Sequence, residues 1–549
     1  MESQRSFLFI GLALVTFLLW EAWQKDYGPQ PPQTVESALP DTPSDVPSNS
    51  TSGSVDVPTI QGGALPTPNQ AATNNALIHV VTDTLDLRIS PKGGDIVNAD
   101  LVKFPVELNS EESFNILSND PQLEFIAQSG LIGPNGTDGS QGRPTFLADK
   151  LNYELTGDTL SVPLRYTTSE GLVVIKTFTF TRGMHSVDVT YELSNTSQQN
   201  LQVVPYAQLK QKIRSSEGSV FMPTYRGGAY STEDERYEKL AFDDIFDDGL
   251  REKTLGGWAA MIEHYFVAAW VPPQEQQNTI YARGLGEEYA LIGYTGQPVN
   301  IAAGQSATLN SIIYVGPKDQ DALEQIARGL NLTVDYGFLW WISLPLFSLL
   351  QLIHSLVGNW GVAIIVITIL VKGVMYPLTK AQYTSMAKLR ALKPKMDALK
   401  DRFGDDRQKM SQGMMELYKK EKVNPMGGCF PLLLQMPIFL ALYWVLLESV
   451  ELRQAEFFLW IADLSVKDPF YVLPILTGIS MYLLQKLQPV TVQDPMQQKI
   501  MQLMPVFMSI FFLWFPAGLV LYWFISNLIT LAQAKIIYTQ MEKQGLKTS

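Results

Sequence analysis

The sequence is poor in residues that build metal and redox sites. Its 549 residues include one cysteine, Cys429, which cannot form a disulfide within the chain. The folded parts must therefore be stable through burial of apolar groups. The four histidines are scattered without an HExxH or Cys/His cluster, and no GxxxxGK[ST] phosphate-binding loop is present. We therefore expect no metal, no cofactor, no nucleotide-driven chemistry and no enzymatic activity.

Positive charge is scarce in the first part of the chain. Residues 1–331 carry 21 Lys and Arg against 40 Asp and Glu, whereas residues 332–549 carry 20 against 14. This contrast predicts an acidic soluble domain followed by a basic membrane domain. An acidic surface repels phosphate groups, so we expect no nucleic acid as a partner of the soluble domain.

The N-terminal residues predict an anchor and a linker. An apolar run, Phe7 to Trp20, is followed by EAWQKDYG, which lacks an A-x-A cleavage site. We interpret residues 1–26 as an uncleaved transmembrane anchor, with a cleaved signal peptide as the alternative. Residues 27–57 are rich in Pro, Ser, Thr and Asp and predict a disordered linker.

Residues 58–331 predict a large antiparallel β-sandwich. Apolar residues alternate with polar ones in several segments, and Gly, Asn and Asp punctuate them. In VVIKTFTFT, for example, we assign Ile175, Phe178 and Phe180 to the buried face. This domain shows no recognisable catalytic constellation.

The remaining apolar segments predict a helical membrane core. Residues 332–358 favour an amphipathic helix in the outer interface, with a further spanning helix as the alternative. Residues 359–377 predict transmembrane helix 2, and residues 425–535 predict helices 3–6. With the anchor, this gives six crossings and leaves 536–549 as a cytoplasmic tail.

Basic residues decide the orientation of these crossings. Residues 378–424 hold twelve Lys and Arg, whereas the loop 448–469 holds two beside five acids. By the positive-inside rule, the first loop is cytoplasmic and the second lies outside. We therefore expect both termini in the cytoplasm and the β domain on the outer side.

The most informative residue is Lys372, which lies inside the apolar run WGVAIIVITILVKGVMYP. A charge at membrane depth costs about 3 kcal/mol or more, so it usually faces water, a partner or a substrate. Thr368, one helical turn earlier, would add a second polar group to a groove. Alternatively, Lys372 lies near the cytoplasmic end and extends its ammonium group to the lipid headgroups.

The basic segment 378–424 predicts a helical hairpin. Its first helix covers 382–403 with a bend at Pro394, and Asp405 or Asp406 caps the second helix. Flexible methionine surfaces suit varied apolar partners, and here they would receive a substrate. A hairpin that only packs on itself and the headgroups is the alternative. The methionines in question are Met386, Met396, Met410, Met414 and Met415.

Four segments together resemble the YidC/Oxa/Alb family of membrane-protein insertases in its Gram-negative form. They are YPLTKAQYTSMAK (376–388), NPMGGCFPLLLQMPIFLALYW (424–444), DPMQQKIMQLMPVFM (494–508) and FFLWFPAGLVLYWFISNLIT (511–530). The resemblance implies a multi-domain protein of the bacterial inner membrane. Its parts would be an anchor helix, a periplasmic β-sandwich of mutarotase-like fold and a helical core of five spans. The implied function is to insert newly made inner-membrane proteins and help them fold, alone or with the Sec translocon.

The resemblance also implies a hydrophilic groove whose positive charge falls on Lys372. Family members commonly have arginine there, and lysine lacks the planar fork that binds a carboxylate in two places. The implied partners are nascent membrane proteins, the lipid bilayer, the Sec translocon, and the ribosome with the signal recognition particle or its receptor. The other implied groove residues are Thr368, Gln435, Tyr522, Trp523 and Asn527.

Two other functions remain open from the residues alone. An ion-coupled transporter would use Lys372 as a midplane site, but no paired Asp/Glu lies within an apolar segment and no inverted repeat is visible. A membrane-anchored carbohydrate-binding protein would instead carry its activity in the β domain.

Overall fold

This computed structural model describes residues 76–139, 142–213, 224–403, 406–421, 430–487 and 495–543 of the chain. The anchor expected at 1–26 and the linker expected at 27–57 lie outside the described residues, and so does the end of the tail, 544–549.

Twenty strands form most of the first described part of the chain. In chain order they are β1 (Ile78–Val81), β2 (Leu85–Ser90), β3 (Asp95–Pro105), β4 (Ser113–Leu117), β5 (Phe125–Ile132), β6 (Leu147–Ala148), β7 (Asn152–Glu154), β8 (Thr159–Thr167), β9 (Leu172–Thr181), β10 (Ser186–Asn195), β11 (Leu201–Lys212), β12 (Gly227–Ser231), β13 (Glu238–Leu240), β14 (Leu250–Leu255), β15 (Trp258–Ile262), β16 (Phe266–Val271), β17 (Gln277–Leu285), β18 (Tyr289–Thr295), β19 (Val299–Ile301) and β20 (Ser306–Pro317).

The strands form two sheets that enclose a large hydrophobic core. The first sheet has the order β14-β17-β18-β11-β5-β3-β2-β1-β7, with β4 beside β3 and β19 beside β11. The second has the order β13-β12-β15-β16-β20-β10-β9-β8-β6. Long neighbours such as β9, β10 and β20 pair antiparallel, whereas β1 and β7 pair parallel. Apolar side chains of both sheets meet in the same buried cluster, which confirms the predicted antiparallel sandwich.

Strand β9 buries Phe178 and Phe180 as predicted, but Ile175 does not share their face. Its buried residues alternate from Leu172 through Val174, Lys176 and Phe178. Ile175 therefore lies on the opposite face from Phe178, and its assignment to the buried face was wrong. Since consecutive side chains of a strand alternate between faces, the strand places a lysine in the core register.

Lys176 is fully buried, and its ammonium group is bonded to three backbone carbonyls. Its Nζ donates to the oxygens of Gly93 (3.1 Å), Gly94 (2.7 Å) and Ser129 (3.3 Å). Three acceptors match the three protons of an ammonium group. Burial nevertheless disfavours the charge and lowers the pKa of Lys176 to about 7.

The depressed pKa of Lys176 predicts a pH dependence of stability. The unfolded chain binds this proton up to a pH of about 10, so unfolding becomes less favourable as the pH rises above about 7. We expect Lys176→Met to remove this rise in thermal stability, measured on the detergent-solubilised protein between pH 7 and 10. The exposed Lys253 gives a matched control, because Lys253→Met should keep the rise; equal slopes for wild type and Lys176→Met would contradict the prediction.

The described helices follow mostly after the β domain. Two short ones belong to the β domain, and nine form the rest of the described chain. They are α1 (Phe242–Asp247), α2 (Gln320–Ile326), α3 (Trp340–Val357), α4 (Trp360–Val374), α5 (Tyr376–Ala391), α6 (Lys393–Phe403), α7 (Arg407–Lys420), α8 (Phe430–Glu448), α9 (Val472–Leu487), α10 (Pro495–Phe511) and α11 (Ala517–Lys543), with single 3-10 turns at Leu330–Thr333, Gly337–Leu339, Val450–Leu452 and Phe512–Trp514.

Among the described residues, two helical stretches are long and apolar enough to cross a membrane. They are Gly337–Val357 and Ala517–Lys543, and α4 with α5 would make a third if that pair, bent by 63°, forms one span. Shorter apolar helices lie at Gln435–Glu448, Val472–Leu487 and Gln502–Trp514. The interfacial placement of 332–358 and the count of six crossings therefore stay predictions.

Helices α5, α6 and α7 lie where the hairpin was predicted, with a different first helix. Where one helix was expected over 382–403, α5 already begins at Tyr376 and ends at Ala391, and α6 starts at Lys393. The break precedes Pro394, whose ring disfavours helical backbone in the residue before it. Asp406 caps α7 by accepting a hydrogen bond from the Lys409 amide (3.1 Å).

Candidate functional site

Helix α11 lies at the centre of the described helical part. It packs against α4, α5, α8 and α9. Most of the site residues expected from the sequence lie on α11 itself or on one of these neighbours. Their positions follow from how each helix begins, ends and turns toward α11.

Lys372 lies in the last turn of α4, beside the bend into α5. Asn359 begins α4 by accepting a hydrogen bond from the Val362 amide (3.0 Å). The helix ends at Val374, and Pro377 stands in the first turn of α5. Since proline donates no hydrogen bond, this position suits the start of a helix and interrupts a continuous one. The basic side chain also faces the negative end of the α4 dipole.

The side chain of Lys372 lies on a boundary between buried and exposed faces of α4. Ile364 and Ile367 are buried in the helical core, whereas Ile369 and Val374 are 52% and 82% exposed. Lys372 is half-buried. Within the ranges that the structure describes, its ammonium group has no carboxylate and no hydrogen-bond acceptor as a partner. The charge therefore lies at the edge of the bundle and is available to a further group.

The side chain of Gln533 on α11 bonds to the backbone of Lys372. This residue was not identified from the sequence. Its Nε2 donates to the Lys372 carbonyl (3.1 Å), one of the last carbonyls of α4, which lack partners within their own helix. Its Oε1 is buried and has no hydrogen-bond partner among the described residues. A buried acceptor of this kind indicates a place for water or for a donor of a substrate. A glutamine between apolar residues, in the run LITLAQAKII, was the available signal.

Thr368 and Gln435 are each bonded to other groups. Thr368 is fully buried, and its Oγ1 donates to the carbonyl of Ile364 in its own helix (2.5 Å). Gln435 of α8 is half-buried, and its Nε2 reaches the Oγ1 of Thr379 on α5 (3.5 Å). The structure thus places Thr368 inside the bundle and Gln435 between α8 and α5.

Asn527 belongs to a contact on another side of α11. Its Nδ2 donates to the Oγ of Ser480 (3.0 Å), which donates to the carbonyl of Thr477 (2.7 Å). Gln533 lies six positions after Asn527 in the helix, so their side chains point about 120° apart around the helix axis. Asn527 therefore bonds to α9, whereas Gln533 bonds to α4.

Tyr522 and Trp523 lie in an aromatic cluster. Tyr522 is buried and stacks on Phe439 of α8 with ring centroids 5.9 Å apart. Trp523 contacts Phe439 at 4.6 Å and Phe512 at 4.7 Å. These rings join α8 to α11 by apolar packing. They do not contact Lys372 among the described contacts.

The methionines of the hairpin divide into buried and exposed ones. Met396 is 8% exposed and packs with Leu389 and Leu392, and Met414 packs against the same cluster. Met386 packs against a second cluster with α11, and Met410 is partly buried. Met415 is 54% exposed. Of the five, Met415 presents the most exposed thioether to a partner.

Several helices expose continuous apolar faces. On α10 the side chains of Ile500, Leu503, Val506 and Phe507 are more than half exposed. Exposure of apolar faces of this extent to water is energetically unfavourable, so they indicate contact with lipid or another protein. α9 shows the same pattern at Ile475 and Ile479. The helical part is thus built for an apolar environment.

Comparisons with known proteins agree with this picture along the whole chain. The family model of the YidC periplasmic domain matches residues 77–349, and that of the 60Kd inner membrane protein matches residues 352–544. The membrane protein insertase YidC of Pseudoalteromonas atlantica is 62% identical over 548 residues, which cover 100% of each chain. The chain belongs to the YidC family of membrane protein insertases. The resemblance noted in the sequence is thereby confirmed.

Two solved structures have similar chains at low identity. A crystal structure of an active YidC insertase with its first transmembrane domain resolved is 18% identical; the match covers 84% of this chain and 92% of that one, with a TM-score of 0.36. A galactose mutarotase related enzyme from Lactobacillus acidophilus is 9% identical; the match covers 44% of this chain and 97% of that one, with a TM-score of 0.30.

Gln533→Met tests whether the orphaned acceptor matters. The variant loses one hydrogen bond, worth about 1 kcal/mol, and removes an unsatisfied acceptor that costs about 1–3 kcal/mol. The substitution also leaves the Lys372 carbonyl without this donor, which offsets the gain. We therefore expect thermal stability to change little, while insertion of a substrate with a polar outer tail falls several-fold in proteoliposomes. Unchanged insertion would show that the acceptor has no role. Leu528→Met, at an exposed position of the same helix, is the matched control.

Replacement of methionine by glutamine should have different effects at the exposed Met415 and the buried Met396. Met396→Gln buries an amide in the hairpin core and should destabilise the hairpin by about 1–3 kcal/mol. Met415→Gln should leave thermal stability unchanged and weaken the cross-linking of hairpin to nascent chain. Proteolysis rates and cross-linking yields measure the two effects. Full cross-linking in Met415→Gln would argue against a receiving surface at this methionine.

Proposed function

We propose that this insertase admits the polar segment of a nascent membrane protein at the edge of the bundle around Lys372. Family membership makes the chain an inner-membrane insertase, with nascent membrane proteins as substrates and the bilayer as their destination. Insertion forms and breaks no covalent bond, and relatives named as insertases support neither an ion-coupled transporter nor a carbohydrate-binding protein.

The observation that carries this proposal is the position of the Lys372 ammonium group. It lies between a buried and an exposed face of α4, and no described group neutralises it. The orphaned Oε1 of Gln533 lies on the helix that contacts the Lys372 backbone. Together they offer one positive charge and one acceptor, which suits a hydrated peptide segment that carries acidic groups.

The drive for insertion comes from the substrate. Burial of an apolar segment in lipid gains about 25 cal/mol per Å² of apolar surface, whereas its polar flank must cross a medium of low dielectric constant. We call the hydrated opening beside Lys372 and Gln533 the notch. It shortens the path through the low-dielectric medium, and the charge of Lys372 attracts acidic residues from the inner side. The bend between α4 and α5 interrupts the apolar length at this point.

The remaining site residues have supporting roles in this proposal. Thr368 and the aromatic pair Tyr522 and Trp523 fix the packing of α4 and α11, since each is engaged inside the bundle. Gln435 and Asn527 make hydrogen bonds between helices. Gln435 borders the notch, whereas Asn527 joins α11 to α9 on another side of the helix. The basic hairpin formed by α5, α6 and α7 receives the substrate on the cytoplasmic side through exposed groups such as Met415.

Orientation and partners complete the proposal. The distribution of Lys and Arg supports a cytoplasmic hairpin, cytoplasmic termini and a periplasmic β domain. The hairpin's basic residues suit the acidic surface of a ribosome or of a signal recognition particle complex. Exposed apolar faces on α9 and α10 suit either lipid or a Sec translocon.

Substitutions of Lys372 test the role of its charge. Lys372→Ala and Lys372→Glu should insert single-span substrates with acidic outer tails several-fold less well, whereas Lys372→Arg should retain insertion because the charge is kept. The measurement is protease protection of the tail in proteoliposomes. A substrate whose tail carries no acidic residue is the control and should be affected less. If Lys372→Glu inserts acidic tails as wild type does, attraction by this charge is refuted.

A further inference from the structure

An ion pair buried between the β domain and the helical part joins Lys318 to Glu448. Lys318 follows β20 directly, and Glu448 is the last residue of α8. The Nζ of Lys318 lies 2.9 Å from Oε2 of Glu448, and the two side chains are 2% and 5% exposed. Burial of such a pair is costly, because each charge loses its hydration, so removal of one partner leaves the other unsatisfied.

Residues of the β domain enclose the pair. The Nε2 of His264 donates to the carbonyl of Leu447 (3.0 Å), one residue before Glu448. The His264 ring stacks on Tyr265 at 3.8 Å, and the carbonyl of Tyr265 accepts from the Lys318 amide (2.9 Å). Burial lowers the pKa of His264 and favours the neutral ring. With its proton on Nε2, the neutral ring can donate to the Leu447 carbonyl. The end of α8 is therefore held by His264 in addition to the ion pair, and Tyr265 supports both His264 and Lys318.

The chain after α8 continues into the β domain. Val450 belongs to the buried cluster of the sandwich. The Nη2 of Arg453 donates to the carbonyl of Pro105 (2.6 Å), which also accepts from Nε2 of Gln454 (2.8 Å). The Arg453 guanidinium lies 5.4 Å from the ring centroid of Phe266. These contacts leave the C-terminal end of α8 little freedom to shift relative to the sandwich.

The other half of α8 carries part of the site. Gln435 meets Thr379 of α5, and Phe439 meets Tyr522 of α11. Gln435 lies about 20 Å along the helix from Glu448, at a rise of about 1.5 Å per residue. A helix transmits an axial shift along its length, so a change at Glu448 would move both contacts.

We propose that Lys318 and Glu448 are positioning residues for insertion. Their ion pair fixes the axial position of α8 against the β domain, and α8 in turn holds Gln435 and Phe439 against α5 and α11. The β domain thereby sets the width of the notch beside Lys372. This inference rests on the proposed function of that notch.

The pair predicts an asymmetry between single and double substitutions. Lys318→Met leaves the Glu448 carboxylate buried without a partner, so α8 must shift until water reaches it. Lys318→Met combined with Glu448→Met replaces both charges by apolar side chains of similar length. The double variant should therefore keep α8 closer to its original position than either single variant does.

Disulfide formation across the site measures the position of α8 directly. In full-length protein carrying Cys429→Ser, Gln435→Cys and Thr379→Cys place one thiol on each of the two helices at the positions that now pair, and copper phenanthroline oxidises them. We expect Lys318→Met to slow this oxidation at least threefold and to lower insertion in parallel. The double variant should restore both.

Two controls separate positioning from general loss of structure. Asn527→Cys with Ser480→Cys reports the contact between α11 and α9, which does not involve α8, and its oxidation rate should stay unchanged. Lys212→Met removes an ion pair with Glu288 inside the β domain and should leave the 435–379 rate unchanged. If Lys318→Met does not fold, the charge-swapped variant Lys318→Glu with Glu448→Lys replaces it. This variant must reproduce the wild-type 435–379 oxidation rate.

The outcomes decide the inference independently of the charge on Lys372. An unchanged 435–379 rate in folded Lys318→Met overturns the positioning role, even if insertion falls. A slower rate that the double variant fails to restore also overturns it. Since the oxidation rate is measured without substrate, a negative result with Lys372 variants would remove the notch as the insertion site and leave the coupling of α8 to the β domain standing.

Discussion

A single ammonium group among apolar helices constrains the helical part of this protein. Its hydration cannot be replaced by lipid, so the helices around Lys372 must leave it an opening. The structure does so by ending α4 two residues later and turning the chain by 63° into α5. That turn frees backbone carbonyls, and Gln533 bonds to one of them. The charge, the bend and the glutamine thus depend on one another.

The sequence predicted the features that follow from periodicity and charge. Alternation of apolar residues was enough to predict the sandwich, because a strand buries every second side chain. The apolar run around Lys372 was enough to predict a helix with an exceptional charge, and Asp406 was correctly named as one of two candidate caps. The family resemblance rested on four segments of the helical part, and the full-length match to named insertases confirms it.

The details that sequence could not supply depend on contacts between distant residues. Ile175 of β9 was assigned to the wrong face, because a lysine in VVIKTFTFT looks exposed until three distant carbonyls are found around it. Gln533 was missed because its partner is a backbone carbonyl of α4, 161 residues away in sequence. The methionines looked equivalent in sequence, but packing between α6 and α7 buries Met396 and leaves Met415 outside.

The inclusion of Val450 in the core of the sandwich has a consequence for the order of synthesis. A ribosome completes β20 long before it makes α8, so the β domain first exists without one of its own core residues. Its last packing step requires that α8 has been made and that the residues after α8 have reached the sandwich. Completion of the β domain is thereby tied to the correct placement of a helix that is made much later.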